Sequence, residues 1–181
     1  SKLVYKGDWR HQFCSKNSPT FDVASIVCNL IGVRKMVSTL EASVELSTSA
    51  ALKFLEIFST KLFELATVSP DIIQSLEIVS GEWGFIGLTF LTHYTIDGTA
   101  QVVKMELASI NLLDLSLTFK VIEGDLLKVY NSFDVILKVT PHVLSGSVVN
   151  WTFEYEKPSS DTPDPNSLME AAIQVSKDVD A

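Results

Sequence analysis

Cysteine is almost missing from this 181-residue chain: Cys14 and Cys28 both lie in the first 35 residues, and the remaining 146 have none. A domain of that size without disulfides reads as intracellular rather than secreted, so a cytoplasmic location is expected. Arginine is missing from the same 146 residues, which hold eight lysines against twenty carboxylates. A surface of that sign repels phosphate backbones and anionic lipid, so neither nucleic acid nor a membrane surface is expected as a partner. No apolar run is long enough to span a bilayer, and the stretch 21–33 is interrupted by Asp22 and Asn29. Metal-ligand clusters are missing too. His11, His93 and His142 are scattered, with no cysteine or carboxylate at ligand spacing, so no metal and no cofactor are expected. There is no Gly-x-Ser-x-Gly elbow to carry a nucleophile.

What the chain has is enough apolar residue, 46%, to build one domain with a sizeable core. Composition breaks at Arg34-Lys35-Met36. Before the break, six basic residues face Asp8 and Asp22 alone; after it, the chain is acidic and regularly patterned. Residues 1–35 are therefore expected to lie outside the fold and residues 36–181 to form it. The two aspartates suit a transit peptide poorly, which points to an upstream extension rather than an organelle signal.

Leu40, Ala42, Val44 and Leu46 alternate with Glu41, Ser43 and Glu45, the period-two signature of a half-buried strand. Ser47-Thr48-Ser49 offers N-cap candidates for a short helix with Leu52, Leu55 and Phe58 on its apolar side. A second short helix is expected near 61–66, ended by Ser69-Pro70. Strands are expected near 72–79, 86–96, 100–110, 115–122, 126–139 and 147–157. Their links, such as Ile96-Asp97-Gly98 and Glu123-Gly124-Asp125, are too short for parallel crossovers, so the strands must be antiparallel. A polar, proline-rich loop at 157–165 leads to Asp164-Pro165, read as an N-cap and first-turn proline opening a helix to the C-terminus. Leu168, Ala172, Val175 and Val179 make its apolar stripe. The fold class is therefore α+β, a curved antiparallel sheet with the final helix against its concave face.

Alternation assigns the inward faces. Leu88, Phe90, Thr92 and Tyr94 point in from one strand, and Val103, Met105 and Leu107 from the next. Leu117, Phe119 and Val121 follow, then Phe133, Val135 and Leu137, then Val149, Trp151, Phe153 and Tyr155. The set contains two tyrosines and one threonine but no lysine, histidine or carboxylate, a thin basis for acid–base chemistry. His93 falls on the solvent side. The glycine string 81–87 lacks the Gly-Lys-Ser/Thr of a phosphate loop and reads as a tight connection that needs positive φ.

The order of elements and several strings resemble the plant major latex proteins, a branch of the Bet v 1-like family. The strings are Gly81-Glu82-Trp83-Gly84-Phe85-Ile86-Gly87, Tyr94-Thr95-Ile96-Asp97-Gly98, Lys120-Val121-Ile122-Glu123-Gly124-Asp125-Leu126-Leu127-Lys128, Trp151-Thr152-Phe153-Glu154-Tyr155-Glu156-Lys157 and Lys177-Asp178-Val179-Asp180. The resemblance covers 36–181. It implies a helix-grip fold, with a seven-stranded antiparallel sheet around a long C-terminal helix and two short helices after the first strand. It also implies an internal hydrophobic cavity, expected to exceed several hundred Å3, and a link to plant defence and stress. Residues 1–35 depart from the family pattern, as does the turn Asn111-Leu112-Leu113-Asp114-Leu115, which is strongly charged in the family and here carries Asp114 alone, and the final helix stops early, at Ala181.

On that reading the cavity lining is Phe54 and Phe58 from the first helix; Phe90, Thr92, Tyr94, Met105, Leu107, Leu117, Phe119 and Val121 from the middle strands; Phe133, Trp151, Phe153 and Tyr155 from the last two; and Leu168, Ala172 and Val175 from the final helix. Gly81, Trp83, Gly84 and Gly87 form its glycine-rich loop. Tyr94 and Tyr155 are the expected polar handles. The expected partner is an apolar small molecule, a hormone, sterol, alkaloid or similar metabolite, held by a monomer, with the final helix as a loosely tethered, movable wall. Some relatives of the family condense or isomerise alkaloids, the condensing ones through a cavity lysine, so an alkaloid-pathway enzyme is the alternative. The missing inward lysine on 115–122 disfavours it. A third reading is a ligand-free interaction module, which a cavity too small for a drug-sized molecule would favour.

Overall fold

The computed structural model describes residues 37–181 apart from Leu144. The expected exclusion of residues 1–35 from the fold lies outside the described residues.

The first strand, β1 (Val37–Leu46), buries Val44 and Leu46 and leaves Glu41, Ser43 and Glu45 exposed, as its alternation requires. Helix α1 (Ala51–Ser59) follows and buries Ala51, Phe54, Leu55 and Phe58. Leu52, expected on the apolar side, is instead 67% exposed, because the buried stripe runs through 51, 54, 55 and 58 at helical spacing. The Ser47–Thr48–Ser49 hydroxyls do not cap this helix; its N-cap is Ala50, without a side-chain bond. The expected second helix is a 3-10 turn (Leu62–Glu64) running into one α-turn, α2 (Leu65–Val68).

Six strands follow: β2 (Ile73–Ser80), β3 (Thr89–Ile96), β4 (Thr99–Asn111), β5 (Ser116–Gly124), β6 (Ser132–Pro141) and β7 (Ser147–Glu156). Two corrections to the expected boundaries have local causes. Residues 86–88, expected to start β3, belong instead to the turns that begin at 81, with Gly81, Gly84 and Gly87 all at positive φ as the tight-connection reading required. Residues 126–129 form a short helix, α3 (Leu126–Val129), rather than the start of β6. There, Gly124 at φ +118° turns the chain. Asp125 then holds the turn, accepting from the Val102 N–H at 2.8 Å and the Lys128 ammonium at 2.7 Å.

The described strands make one antiparallel sheet in the order β1-β7-β6-β5-β4-β3-β2. Strands β2 to β7 are a meander, and β1 joins it beside β7. The link between β1 and β2 must therefore pass from one sheet edge to the other, and α1, the 3-10 turn and α2 make that passage. Asp97 and Gly98, both at positive φ, form the two-residue turn between β3 and β4 that their sequence demands. Register shifts in the β2–β3 and β4–β5 pairings add bulges, which bend the sheet. Helix α4 (Asn166–Asp180) packs against β1, β7 and β3 and against α2. No helix among the described residues is long and apolar enough to cross a membrane.

Candidate ligand-binding cavity

Every residue assigned inward by alternation is buried or half-buried, but those residues divide between filled core and empty space. One end is filled by rings. Phe133 stacks on Tyr155 at 5.7 Å between centroids and packs against Phe153 at 5.3 Å, and Tyr130 closes on Phe133 and Tyr155 at 5.3 and 5.2 Å. Under α1, Phe54 stacks on Phe58 at 4.8 Å, and Phe58 meets Trp151 edge-on at 5.4 Å.

The remaining space is a cavity of about 150 Å3. Phe58 of α1, Leu62 of the 3-10 turn and Leu65 of α2 form one side. Ile72 and, on β2, Ile73 and Leu76 form the next. Strand β3 contributes Phe90, Thr92, Tyr94 and Ile96, and β4 contributes Val103 and Met105. Phe119, Leu126, Val135, Trp151 and Phe153 continue the wall, and Leu168, Ala171, Ala172 and Val175 of α4 cover it. Among the described residues, none that lines it carries a charge.

Phe54, Leu107, Leu117, Val121, Phe133 and Tyr155 were expected in this lining and are not in it. All six are buried, but other side chains pack over them, so they are core. Gly81, Trp83, Gly84 and Gly87 do not line the cavity either. Trp83 packs on Phe90 and Phe63 at 6.0 and 5.8 Å between centroids, one layer behind the wall. Gly84 lies against Thr60, whose Cγ2 a Cβ there would meet at 2.6 Å. The volume is also smaller than expected, because the aromatic cluster and α1 fill much of the concave face. Leu62, Leu65, Ile72, Ile73, Leu76, Ile96, Leu126 and Ala171 were missed, and Val103 and Val135, though assigned inward, were not in the expected lining. Residues 72–76 show little alternation, owing to the bulge between Ile73 and Ser75, and alanine carries no signal of its own.

The phenols expected as polar handles are already engaged. Tyr94 donates to the side-chain Oε1 of Gln101 at 3.0 Å, and Tyr155 donates to Asp164. Burial first, and then the charge of Asp125 for Tyr94, pushes its phenol well above the ordinary range. Burial, the Asp164 bond and the Asp164 charge do the same for Tyr155. Both rings stay neutral at physiological pH. The Trp151 indole N–H donates to Ser176 Oγ at 2.9 Å, and Ser176 donates on to the Ala172 carbonyl at 2.8 Å. Thr92 Oγ1 is buried without a hydrogen-bond partner among the described residues.

Side chains tie α4 at both ends, in place of the loose tether expected from the proline-rich connection. At its start, Asp164 does not cap the helix, whose N-cap is Pro165; it takes Tyr155 and, at 2.7 Å, Lys157, while Tyr130 donates to the Pro163 carbonyl at 2.9 Å. At its end, the Asp180 carboxylate accepts from the backbone N–H groups of Ser47, Thr48 and Ser49 at 2.8, 3.1 and 2.6 Å. Ser69 donates to Asp178 at 2.6 Å.

Residues 35–181 match the pathogenesis-related protein Bet v 1 family. MLP-like protein 34 of Arabidopsis thaliana is 41% identical over 81% of this chain, and MLP-like protein 43 of the same plant is 36% identical over 80% of this chain and 92% of its own length. The chain belongs to the Bet v 1 family, in its major latex protein branch. It spans about half the length of MLP-like protein 34, 46% of it. Among solved structures of this family's fold, ginseng major latex-like protein 151 from Panax ginseng superposes with TM-score 0.76 at 28% identity, covering 80% of this chain and 96% of that one. Norcoclaurine synthase of Thalictrum flavum superposes with TM-score 0.67 over 81% of this chain and 96% of that one; at 14% identity it shares the fold alone.

Proposed function

We propose that this major latex protein-like domain binds a compact apolar small molecule in the cavity beneath α4. One observation carries the reading: a space of about 150 Å3 is lined almost wholly by hydrocarbon, with no charged side chain in its lining among the described residues. Burial of apolar ligand surface there gains roughly 25 cal/mol per Å2 removed from water. A dry apolar cavity of about that size takes a single-ring molecule. Larger metabolites require α4 to move, and its ties at Asp164 and Asp180 oppose that motion. A role in defence or stress, and a cytoplasmic location, accord with the pathogenesis-related family and belong to this proposal.

Binding without turnover is the better reading of the site. Norcoclaurine synthase is an enzyme on this fold, but acid–base catalysis needs a titrating group within reach of substrate. Among the described lining residues Tyr94 is the one with an ionisable group, and it is held neutral and bonded to Gln101.

Saturation-transfer NMR with toluene tests the binding. The wild-type protein should give saturable transfer, and Ala172→Leu, which places a larger side chain in the lining, should weaken it by about tenfold, or 1.4 kcal/mol. Equal binding by both would place the toluene elsewhere, and no binding by either would favour the ligand-free interaction module.

A further inference from the structure

Two neighbouring turns of the sheet present bare hydrocarbon to solvent. In the meander of β2 to β7, the links β2–β3, β4–β5 and β6–β7 fall at one end and the links β3–β4 and β5–β6 at the other. The first end exposes Phe85, Ile86, Leu112, Leu113 and Val143, whereas the links at the other expose, of the described large apolar residues, Val129. Leu113 and Val143 are 97% and 96% exposed. Ser116, where β5 begins, pairs with Asn111 on β4 and with Lys138 on β6. The 112–115 and 142–146 turns therefore stand side by side, about 10 Å or two strand spacings apart.

The β4–β5 turn is built to hold its leucines outward. Asn111 Oδ1 accepts from the Leu113 and Asp114 N–H groups at 3.0 and 3.1 Å, and Asn111 Nδ2 donates to Asp114 at 2.8 Å. Leu115 turns at φ +50°, a left-handed conformation that costs a leucine free energy. It packs against the core, and its carbonyl accepts from the Val139 N–H at 2.9 Å, which stitches the turn to β6. Leu115 thus serves the fold. Leu112 and Leu113 contribute little to it, and polar residues would suit the turn better. Adjacent exposed apolar side chains of this kind mark a contact surface rather than a packing need.

We propose that the two tips form an interfacial anchor for a lipid surface without net charge, with Leu112, Leu113 and Val143 entering the boundary between headgroups and acyl chains. Charge selects the surface. Asp114 is the one Asp, Glu, Lys or Arg in the two turns, so little hydration is lost on contact, while the twenty carboxylates and eight lysines of 36–181 repel anionic lipid. The charge argument against a membrane surface applies to anionic lipid and leaves a zwitterionic one open. A second copy of the chain fits less well. Three side chains fall far short of the roughly 800 Å2 that each partner of a stable dimer buries, and two acidic bodies repel. A bilayer yields around convex tips and needs no shaped groove. The contact is shallow, so binding is weak and reversible. The anchor stands without the cavity reading.

Sedimentation of the full chain with vesicles tests it, using phosphatidylcholine alone and phosphatidylcholine with about one third phosphatidylserine. The wild type should bind the first at millimolar lipid and the second more weakly at low salt. Leu112→Ser combined with Leu113→Ser should lower the partition coefficient about tenfold and leave the thermal melt unchanged, since both side chains are exposed. Val129→Ser, at the opposite end, should stay within about twofold of the wild type. Leu113→Trp should add fluorescence quenching by brominated phosphatidylcholine that the wild type lacks. No binding of the wild type to phosphatidylcholine, equal binding by the double variant, or no added quenching overturns the anchor. Tighter binding to the anionic vesicles overturns it as well. Self-association that the double variant abolishes, without vesicle binding, would assign the tips to a second copy instead.

Discussion

The indole N–H of Trp151 donates to the hydroxyl of Ser176 at 2.9 Å, a buried bond between β7 and the middle of α4. Trp151 lines the cavity, and Ser176 lies on the helix that covers it, so the bond fixes the distance between floor and roof.

Replacing Ser176 by alanine leaves that indole N–H buried and unpaired. The expected loss is about 1–3 kcal/mol in urea denaturation, the cost of an orphaned buried donor. In a Trp151→Phe background the donor is already gone, so the same Ser176→Ala change should cost clearly less. Equal costs in both backgrounds would mean that the bond does not couple helix to sheet.

The Asp180 carboxylate governs acid stability. Burial alone would raise its pKa, but the bonds from Thr48, Ser47 and Ser49 outweigh that and hold it far below the ordinary carboxylate range. A depressed folded-state pKa means the contribution is fully present above the unfolded value of about 3.9 and is lost as pH falls below it. The wild type should therefore lose more stability between pH 5 and pH 2 than Asp180→Asn does, and at pH 7 the variant should be the weaker by about 1 kcal/mol. Parallel acid curves for the two proteins would show that the contact contributes nothing in solution.

Gly124 is required by its surroundings as well as by its φ of +118°. A Cβ there would meet the Val102 carbonyl oxygen at 2.4 Å and Val103 Cα at 2.8 Å, both backbone atoms. Gly124→Ala should cost roughly 2–4 kcal/mol, above the usual range for a surface turn. Gly98, also at positive φ but with open space around it, should tolerate alanine better. Thermal melts of the two variants rank them.

Residues 1–35 are proposed to contribute little to the domain. A chain beginning at Met36 should unfold within about 1 kcal/mol of the full chain by urea titration. A loss above about 3 kcal/mol, a large share of typical domain stability, would show that the segment packs.

Saturating toluene should slow amide hydrogen exchange in α4 more than in β6 and β7. The helix covers the cavity and makes its backbone hydrogen bonds within itself, held to the sheet by side chains alone, whereas β6 and β7 are each paired on both sides. Uniform slowing would point to general stabilisation rather than to contact beneath the helix.

The alternation of Phe90, Thr92 and Tyr94 against His93, or of Trp151, Phe153 and Tyr155 against Thr152 and Glu154, was enough to put each side chain on its face, because a strand's pleat is a local property. Asp97-Gly98 likewise announced its turn, and the strings from Gly81 to Asp180 announced the family. The pairing of β1 with β7, which sets Leu40 against Phe153, and the ties of Asp164 to Tyr155 and Asp180 to Thr48 come only with the folded chain. No local pattern records contacts over such separations. Emptiness is the least local property of all. Phe119 borders the cavity and Phe133 is core, though both are inward phenylalanines in alternating strands, because the rings around Phe133 fill one end of the concave face and no described side chain fills the other. For the same reason the partners of the two inward phenols appear only in three dimensions, where Gln101 takes the hydroxyl of Tyr94 and Asp164 takes that of Tyr155.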